Sequence, residues 1–321
     1  MTDDLLDFKC INAEKYDDTD GFDLFPDCQA ESMRDGAITI FHTNIRSFNK
    51  NFDELTVILN NYKIKFNIIV LTETWVDEAN VVACLEGYDV FLNKKSRNQN
   101  DGVIVFVRKG LAVGCEEIHL HGATCLKIDM KLNGERHCVL AVYRRPSSAG
   151  DLDHFVQDLE SYCLSKKTDR TNWIVGDINC CILPETTDPL SQHYQDVLCG
   201  TGFVSCISVP TRVTSTSKSC IDHIFTDYGD TDIVRSGVIM SELTDHYFIV
   251  AGIDPLSRVE VSNGIPQNFT IIDKAKVSSL ISEHDWTSIK QFNNVNSASV
   301  TFIETLKKIH KHIQKRKNCF C

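Results

Sequence analysis

The chain reads as an α/β protein in which two β-sheets pack as a sandwich with helices on the outside. Three observations carry that expectation. Apolar runs of strand length recur between Ala37 and Ile253. Two longer segments instead repeat apolar residues every three or four positions. In the middle of the chain, four strand-like runs follow one another with no helix between them. Helical crossovers imply parallel pairing and consecutive strands imply antiparallel pairing, so a chain with both suits layered sheets covered by helices.

In order, Ala37–Thr43 is a short strand, and Phe48, Phe52, Leu55, Leu59 and Tyr62 make the apolar stripe of a helix. Asn67–Thr72 is a strand of the fully buried type. Tyr88–Leu92, Val103–Val107, Cys125–Met130 and Cys138–Tyr143 are strands separated by Gly or Asn turns. A second helix carries Leu152, Phe155, Leu159 and Tyr162, and both stripes face a core. Trp173–Val175 is a strand, Tyr194–Leu198 lies in a helix, and Ser219–Phe225 and Tyr247–Ile253 are late strands. After Asp254-Pro255 the pattern loosens. Residues 255–268 read as a linker, and a helix from Ala298 to about Ile313 runs into basic residues, Lys307-Lys308 through Lys315-Arg316-Lys317. The expected organisation is an extension over 1–36, a domain over 37–254, and a linker with a basic helical segment over 255–321.

The composition fits a globular protein: 321 residues, 42% hydrophobic and 24% charged. No apolar run is long enough to span a membrane, and the start, Met1-Thr2-Asp3-Asp4, is acidic where a secretory signal is basic and then apolar. The expected location is intracellular, nuclear or cytoplasmic. The 14 cysteines are scattered, with no C-x-x-C, which favours reduced thiols over a disulfide framework. His310, His312, Cys319 and Cys321 lack zinc-finger spacing, and His119 and His121 read as surface residues. The net charge of −11 is unevenly placed. Residues 1–35 hold 11 acids against three bases, while the rest hold 33 against 30. The extension therefore reads as a solvated, disordered tail on a nearly neutral body, whose charge neither favours nor excludes a phosphate-backbone partner.

Chemistry gathers at strand ends. Gly176-Asp177-Ile178-Asn179 follows Trp173–Val175, and Asp and Asn two apart on a strand share a face. Asn44, Glu73 and Tyr143-Arg144 end other strands, Asp245-His246 precedes another, and Asp222-His223 lies within a sixth. Taken singly, Asn44 and Asp222 also suit turns or caps, Glu73 a solvated edge, and His246 a satisfied core position. Together, hard oxygen donors without clustered Cys favour Mg²⁺ or Mn²⁺ over zinc. A His beside a carboxylate, with a divalent ion, suits attack of water on a phosphodiester.

Thr43-Asn44-Ile45-Arg46, Leu71-Thr72-Glu73-Thr74-Trp75, Val142-Tyr143-Arg144-Arg145-Pro146, Gly176-Asp177-Ile178-Asn179, Cys220-Ile221-Asp222-His223-Ile224 and Thr244-Asp245-His246 occur in that order. The set resembles the endonuclease/exonuclease/phosphatase superfamily, and within it the apurinic-type endonuclease domain of LINE (non-LTR) retrotransposons, over about residues 37–253. Pro210-Thr211-Arg212-Val213-Thr214 is similar to the retrotransposon branch. The resemblance implies a four-layer, DNase I-like α/β sandwich of two mixed sheets. It implies that Glu73 holds the metal with Asn44 close by, and that Asp245 supports the metal side. It implies that Asp177 activates or positions water, Asn179 orients the phosphate, Tyr143 touches the scissile phosphate, and Asp222 orients His246. Which of Asp177 and His246 takes the proton stays open. Arg144, Thr211 and Arg212 would contact DNA.

Three departures accompany the resemblance. Ile178 stands where Phe is common, Thr244 where Ser is usual, and Asp101-Gly102 where two glycines are common, the last placing an acid near a loop expected to approach DNA. Lys94, Lys95, Arg97, Arg108, Lys109, Arg144, Arg145, Arg212 and Lys218 would form a positive rim. The resemblance further implies a nick in duplex DNA, with Mg²⁺, that leaves a 3′-hydroxyl to prime reverse transcription. The expected partners are duplex DNA, read by groove shape rather than by base edges, and a reverse transcriptase domain outside this chain. Competing readings are another phosphohydrolase of the same fold, acting on abasic DNA, RNA ends or a phospholipid headgroup, or a binding protein without turnover.

Overall fold

The computed structural model describes residues 11, 13–16, 22–25, 37–76, 83–94, 100–146, 149–254, 268–271, 274–292, 294–313 and 315–318. The chain forms two compact units, which divide between Arg258 and Val259. The first opens with strand β1 (Glu14–Tyr16), β2 (Thr39–Asn44), helix α1 (Phe48–Asn61), β3 (Ile68–Thr72), β4 (Tyr88–Leu92) and β5 (Val103–Arg108). A run of hairpins follows: β6 (Ala112–Leu120), β7 (Ala123–Leu132) and β8 (Glu135–Arg144). Then come α2 (Ala149–Leu164), β9 (Thr171–Asp177), α3 (Pro189–Gly200), β10 (Val204–Ser205), β11 (Arg212–Val213) and β12 (Lys218–Ser219). The unit closes with β13 (Asp222–Thr226), β14 (Val234–Ile239) and β15 (Phe248–Ile253).

These strands make two mixed sheets, one ordered β1-β14-β15-β2-β3-β5-β4 and the other β10-β13-β9-β8-β7-β6. Each sheet contains one parallel pair made by a helical crossover, β2-α1-β3 in the first and β8-α2-β9 in the second. A parallel pair needs such a crossover because the chain must return to the same end. The alternation of side chains sorts the layers. Phe41, Ile69, Leu71, Phe106 and Val250 pack with Phe48, Leu55 and Leu59 of α1. Their neighbours Ile40, Ile68, Val70, Val105 and Ile249 share the central core with Leu126, Val139, Ala141 and Trp173 of the second sheet. Phe155 and Leu159 of α2 and Tyr194 and Leu198 of α3 cover the far face. The result is the expected four-layer α/β sandwich.

Two glycines are required by close approach. A Cβ on Gly176 would lie 1.8 Å from the Val142 carbonyl oxygen of the parallel neighbour. One on Gly237 would lie 2.5 Å from the Tyr16 ring. The second contact belongs to a correction. The acidic extension was expected to be a solvated tail, yet its described residues are folded. β1 pairs in parallel with Gly237–Ile239 of β14, and Ile11, Phe22, Leu24 and Phe25 are buried. Ile11 N donates to Ser205 O at 3.0 Å and Lys63 N to Phe22 O at 3.0 Å. The charge count concealed four apolar anchors set between the acids. Strands β6 and β14 also escaped the sequence reading, β6 because its outer residues are mostly exposed.

The second unit holds β16 (Asn268–Ile271), α4 (Lys274–Glu283), α5 (Thr287–Lys290), α6 (Val295–Ile313) and β17 (Lys315–Asn318). Trp286 and Phe302 pack at 5.3 Å between ring centroids. The helix ends at Ile313, as expected, and the basic run Lys315-Arg316-Lys317 after it pairs antiparallel with β16. Most of the expected linker lies outside the described residues. Among the described residues no helix is long and apolar enough to cross a membrane, and no disulfide joins any described cysteine.

Phe25 tests the folded extension. Phe25→Ala should destabilise the protein by about 3–5 kcal/mol, the usual cost of emptying a buried aromatic site. A change within about 0.5 kcal/mol in the urea midpoint, as for a surface residue, would restore the solvated-tail reading.

Candidate active site

Strand register gathers the polar residues at one end of the sandwich. Asn44 lies opposite Thr72 in the parallel β2–β3 pair, so the chain leaving β3 puts Glu73 beside the exit of β2. Ser47 N donates to Glu73 O at 2.9 Å. In the other sheet, Tyr143 is in register with Asp177, and Asp177 with Asp222. Asn44 Nδ2 donates to Asp177 Oδ2 at 2.7 Å, joining the two sheets. The connecting turns are tight. Arg46, Ser47, Glu73, Trp75 and Asn179 have φ of 44, 95, 49, 60 and 52°, a region that non-glycine residues enter only when their surroundings hold them there.

Asp222 and His246 are both buried and face each other, with Nδ1 2.9 Å from Oδ2 and 3.1 Å from Oδ1. A carboxylate only accepts, so Nδ1 carries the proton and Nε2 is the ring nitrogen left to act elsewhere. Asp222 is also bound by Thr211 Oγ1 at 2.7 Å, and His42 Nε2 lies 3.3 Å from its Oδ1. Burial disfavours charge on His246, but the nearby carboxylates of Asp222, Asp177 and Asp245 outweigh it and raise its pKa to about 9. Burial likewise opposes ionisation of Asp222, and His246 and His42 overcome it, holding the carboxyl well below its ordinary range. Asp177 differs. Burial and the Asp222 charge push it up to about 7, against the opposite pull of His246 and the Asn44 hydrogen bond.

Asn179 N donates to Asp177 Oδ1 at 3.0 Å, and Asn179 Nδ2 donates to Arg144 O at 2.8 Å. Tyr143 donates its hydroxyl to Glu73 Oε1 at 3.2 Å. Burial, reinforced by Glu73 and Asp177, keeps that phenol protonated far above neutral pH. Ligand atoms of Asp177, Asp222 and His246 lie within 4.8 Å of one another. Asp222 and His246 are bound to each other and Asp177 accepts from Asn44 and Asn179, so the donors left for a cation beside them are Glu73 and the Asn44 amide oxygen, a set rich in oxygen and free of thiolate. The excess of buried negative charge, visible in the raised Asp177, fits a hard divalent cation.

The expected residues converge, with corrections. Asn44, Glu73, Tyr143, Asp177, Asn179, Asp222 and His246 meet at this end of the sandwich. Arg144, expected on DNA, is buried and donates from Nε to Ile178 O at 2.7 Å and from Nη2 to Asn179 O at 3.0 Å, bracing the Asp177 turn. Thr211 is fully buried behind Asp222, so it too builds the site from within. Arg212 stays partly exposed, with Nε donated to Asp245 Oδ2 at 2.8 Å and, among the described residues, the rest of its guanidinium free for the expected contact. Asp245 was expected on the metal side, yet both its oxygens accept from arginines. Asp101 does not face DNA; it is buried, accepting from Gly102 N at 2.7 Å and Thr124 Oγ1 at 2.8 Å. Of the expected rim, Lys95 and Arg97 lie outside the described residues. Arg108 ends β5, and because Val103 at its other end pairs with Thr72, Arg108 and Lys109 sit away from the site. His119 and His121 are exposed, as expected.

Sequence reasoning missed His42 and Arg46 as site residues. A signal for His42 was present: it stands two residues before Asn44 on one strand and so shares its face. Arg46 sits in an irregular turn, where no periodicity reports direction.

Fold and site together describe a phosphoester-cleaving enzyme scaffold. A sequence profile described as the Endonuclease/Exonuclease/phosphatase family matches residues 42–246, from His42 to His246. The chain belongs to that family. No curated protein matches it. Among solved structures it is similar to a 3′-5′ exonuclease from Neisseria meningitidis, at TM-score 0.55 and 15% identity, covering 68% of this chain and 100% of that one. It is also similar to an AP endonuclease from Leishmania major, at TM-score 0.55 and 14% identity, covering 74% and 93%. A third likeness is to the endonuclease domain of TRAS1, a telomere-specific non-LTR retrotransposon, at TM-score 0.52 and 15% identity, covering 68% and 98%. At such identities these likenesses speak for the fold.

The raised His246 value makes stability depend on pH. A cation favoured by folding stabilises fully below its unfolded pKa of 6.5 and stops doing so as pH passes about 9. Urea stability in EDTA should therefore fall by about 1–3 kcal/mol from pH 6.5 to 9. His246→Gln should flatten that slope. Equal slopes in the two proteins would remove His246 as its source.

Proposed function

We propose that the protein is a metal-dependent DNA endonuclease that nicks duplex DNA and leaves a 3′-hydroxyl for target-primed reverse transcription. The observation that carries this reading is the pairing of opposites on one strand edge. Asp177, with a pKa near 7, stands in register with Asp222, which holds His246 as a cation. At neutral pH a carboxyl poised near 7 suits a general base, whereas an imidazolium with a pKa near 9 suits an acid and a partner for negative charge. In this reading Asp177 takes the proton of the attacking water. The water oxygen bonds to phosphorus, the P–O3′ bond breaks, and the departing 3′-oxygen takes its proton from His246.

Asn179 and the protonated Tyr143 line the phosphate, and the remaining amide hydrogen of Asn179 is its natural donor there. Asn44 keeps Asp177 oriented, while Asp222, with Thr211 behind it, fixes the His246 ring. Mg²⁺ or Mn²⁺ held by Glu73 and Asn44 would neutralise and orient phosphate oxygens. The retrotransposon assignment is supported by the six motifs in order and by the fold shared with the TRAS1 domain, a nuclease of that kind. A reverse transcriptase would then act on the 3′-hydroxyl produced here.

Nicking of supercoiled plasmid in Mg²⁺ tests the reading. Asp177→Asn and His246→Gln should each lower the rate by about 10²–10⁴-fold, and EDTA should abolish it. A folded wild type that leaves plasmid intact in Mg²⁺ and Mn²⁺, yet releases phosphate from a 3′-phosphorylated oligonucleotide, would instead make the protein a phosphatase of the same family.

A further inference from the structure

Asp245 stands beside His246 but turns to a different task. Its Oδ1 accepts from Arg46 Nη1 at 2.6 Å, and its Oδ2 accepts from Arg212 Nε at 2.8 Å. The two arginines come from different parts of the fold, Arg46 from the turn after β2 and Arg212 from β11. Their side chains are 46% and 36% exposed, against 24% for Asp245. Two guanidiniums around one carboxylate leave a net positive charge at the surface, next to a centre crowded with buried carboxylates. Each arginine gives Asp245 one of its five N–H groups. The others bond to none of the described residues.

Both arginines are held as tightly as catalytic groups. Arg46 sits in the left-handed region at φ 44°, with its N–H donated to Asn44 Oδ1 at 3.2 Å. Asn51 Nδ2 clamps the same turn by donating to Ile45 O at 2.7 Å and Arg46 O at 3.3 Å. Arg212 forms an antiparallel bridge with His246, and Tyr247 N donates to Thr211 O at 2.7 Å. A surface arginine kept only for solubility needs none of this. Planar forks with open N–H groups, fixed one step from the catalytic His, match the geometry of a phosphate.

Resting on the nuclease reading above, we propose that Arg46 and Arg212 form a subsite for a backbone phosphate flanking the scissile one, and that Asp245 is the positioning residue that aims them. A cation ligand is a poor alternative for Asp245, since the two guanidiniums bound to its oxygens would repel a divalent ion there.

The test is binding of a fluorescent duplex of about 20 base pairs in EDTA, by anisotropy across a salt series, which needs no turnover. Arg46→Ala and Arg212→Ala should each reduce the slope of log K against log salt by about one, the mark of one lost phosphate contact. Arg46→Lys, which keeps the charge, should retain most of the slope. Asp245→Asn should raise KM for DNA in the nicking assay while leaving the half-saturating Mg²⁺ concentration within about twofold, a split expected of a positioning residue that spares the metal. Unchanged salt slopes in folded alanine variants would overturn the subsite. A Mg²⁺ requirement raised tenfold or more in Asp245→Asn would assign that residue to the metal and overturn its positioning role. A wild type that binds no duplex at any salt would instead overturn the nuclease reading itself, and the subsite with it.

Discussion

Two carboxylates with no exposed surface, Asp177 and Asp222, face each other in register across β9 and β13, and much of the site follows from keeping them there. A lone ionised carboxylate in such a place is costly, and two side by side repel. The fold answers unequally. Asp222 receives His246, His42 and Thr211 and stays charged. Asp177 receives one amide hydrogen and one backbone N–H, and its charge is left half-compensated. That inequality separates a permanently charged residue from a proton acceptor within one pair. It also explains why Arg144 is buried: its guanidinium closes the turn below Asp177 by capping two carbonyls.

Several residues outside the chemistry serve the same constraint. Gly176 lets β8 and β9 approach closely enough to set Tyr143 beside Asp177. Thr244 Oγ1 donates to Asn44 O at 3.1 Å and also accepts from His246 N, tying the last motif to the first. A serine would offer the same oxygen, so the swap noted in the sequence leaves this contact intact.

The regular elements were legible because their signal is local. Tyr88–Leu92 appears with the bounds read from the sequence, and the stripes on α1 and α2 face the cores they implied. The six strand-end motifs were legible as a group, since residue type and strand position together constrain what they can do. Direction at strand ends and in irregular backbone was not legible. Arg144, Thr211 and Asp101 are polar residues beside the site and read as outward, but each is turned inward by hydrogen bonds made across the fold. The N-terminal extension misled for a related reason. Its acids dominate the composition, while its folding depends on Phe22, Leu24 and Phe25 meeting a surface that only the finished sheet provides.

Strand β1 changes the meaning of the sheet edge it occupies. Without it, β14 would be the outermost strand, presenting unpaired N–H and C=O groups along Gly237–Ile239 next to the apolar hollow that Phe22, Leu24 and Phe25 fill. An open edge of that kind is a template for pairing with another chain. The short β1, carrying Glu14 and Lys15, blunts it. The segment that looks dispensable in the sequence thus covers an edge that would otherwise be open to pairing. A version trimmed to the catalytic motifs alone would carry every active-site residue and still lose solubility.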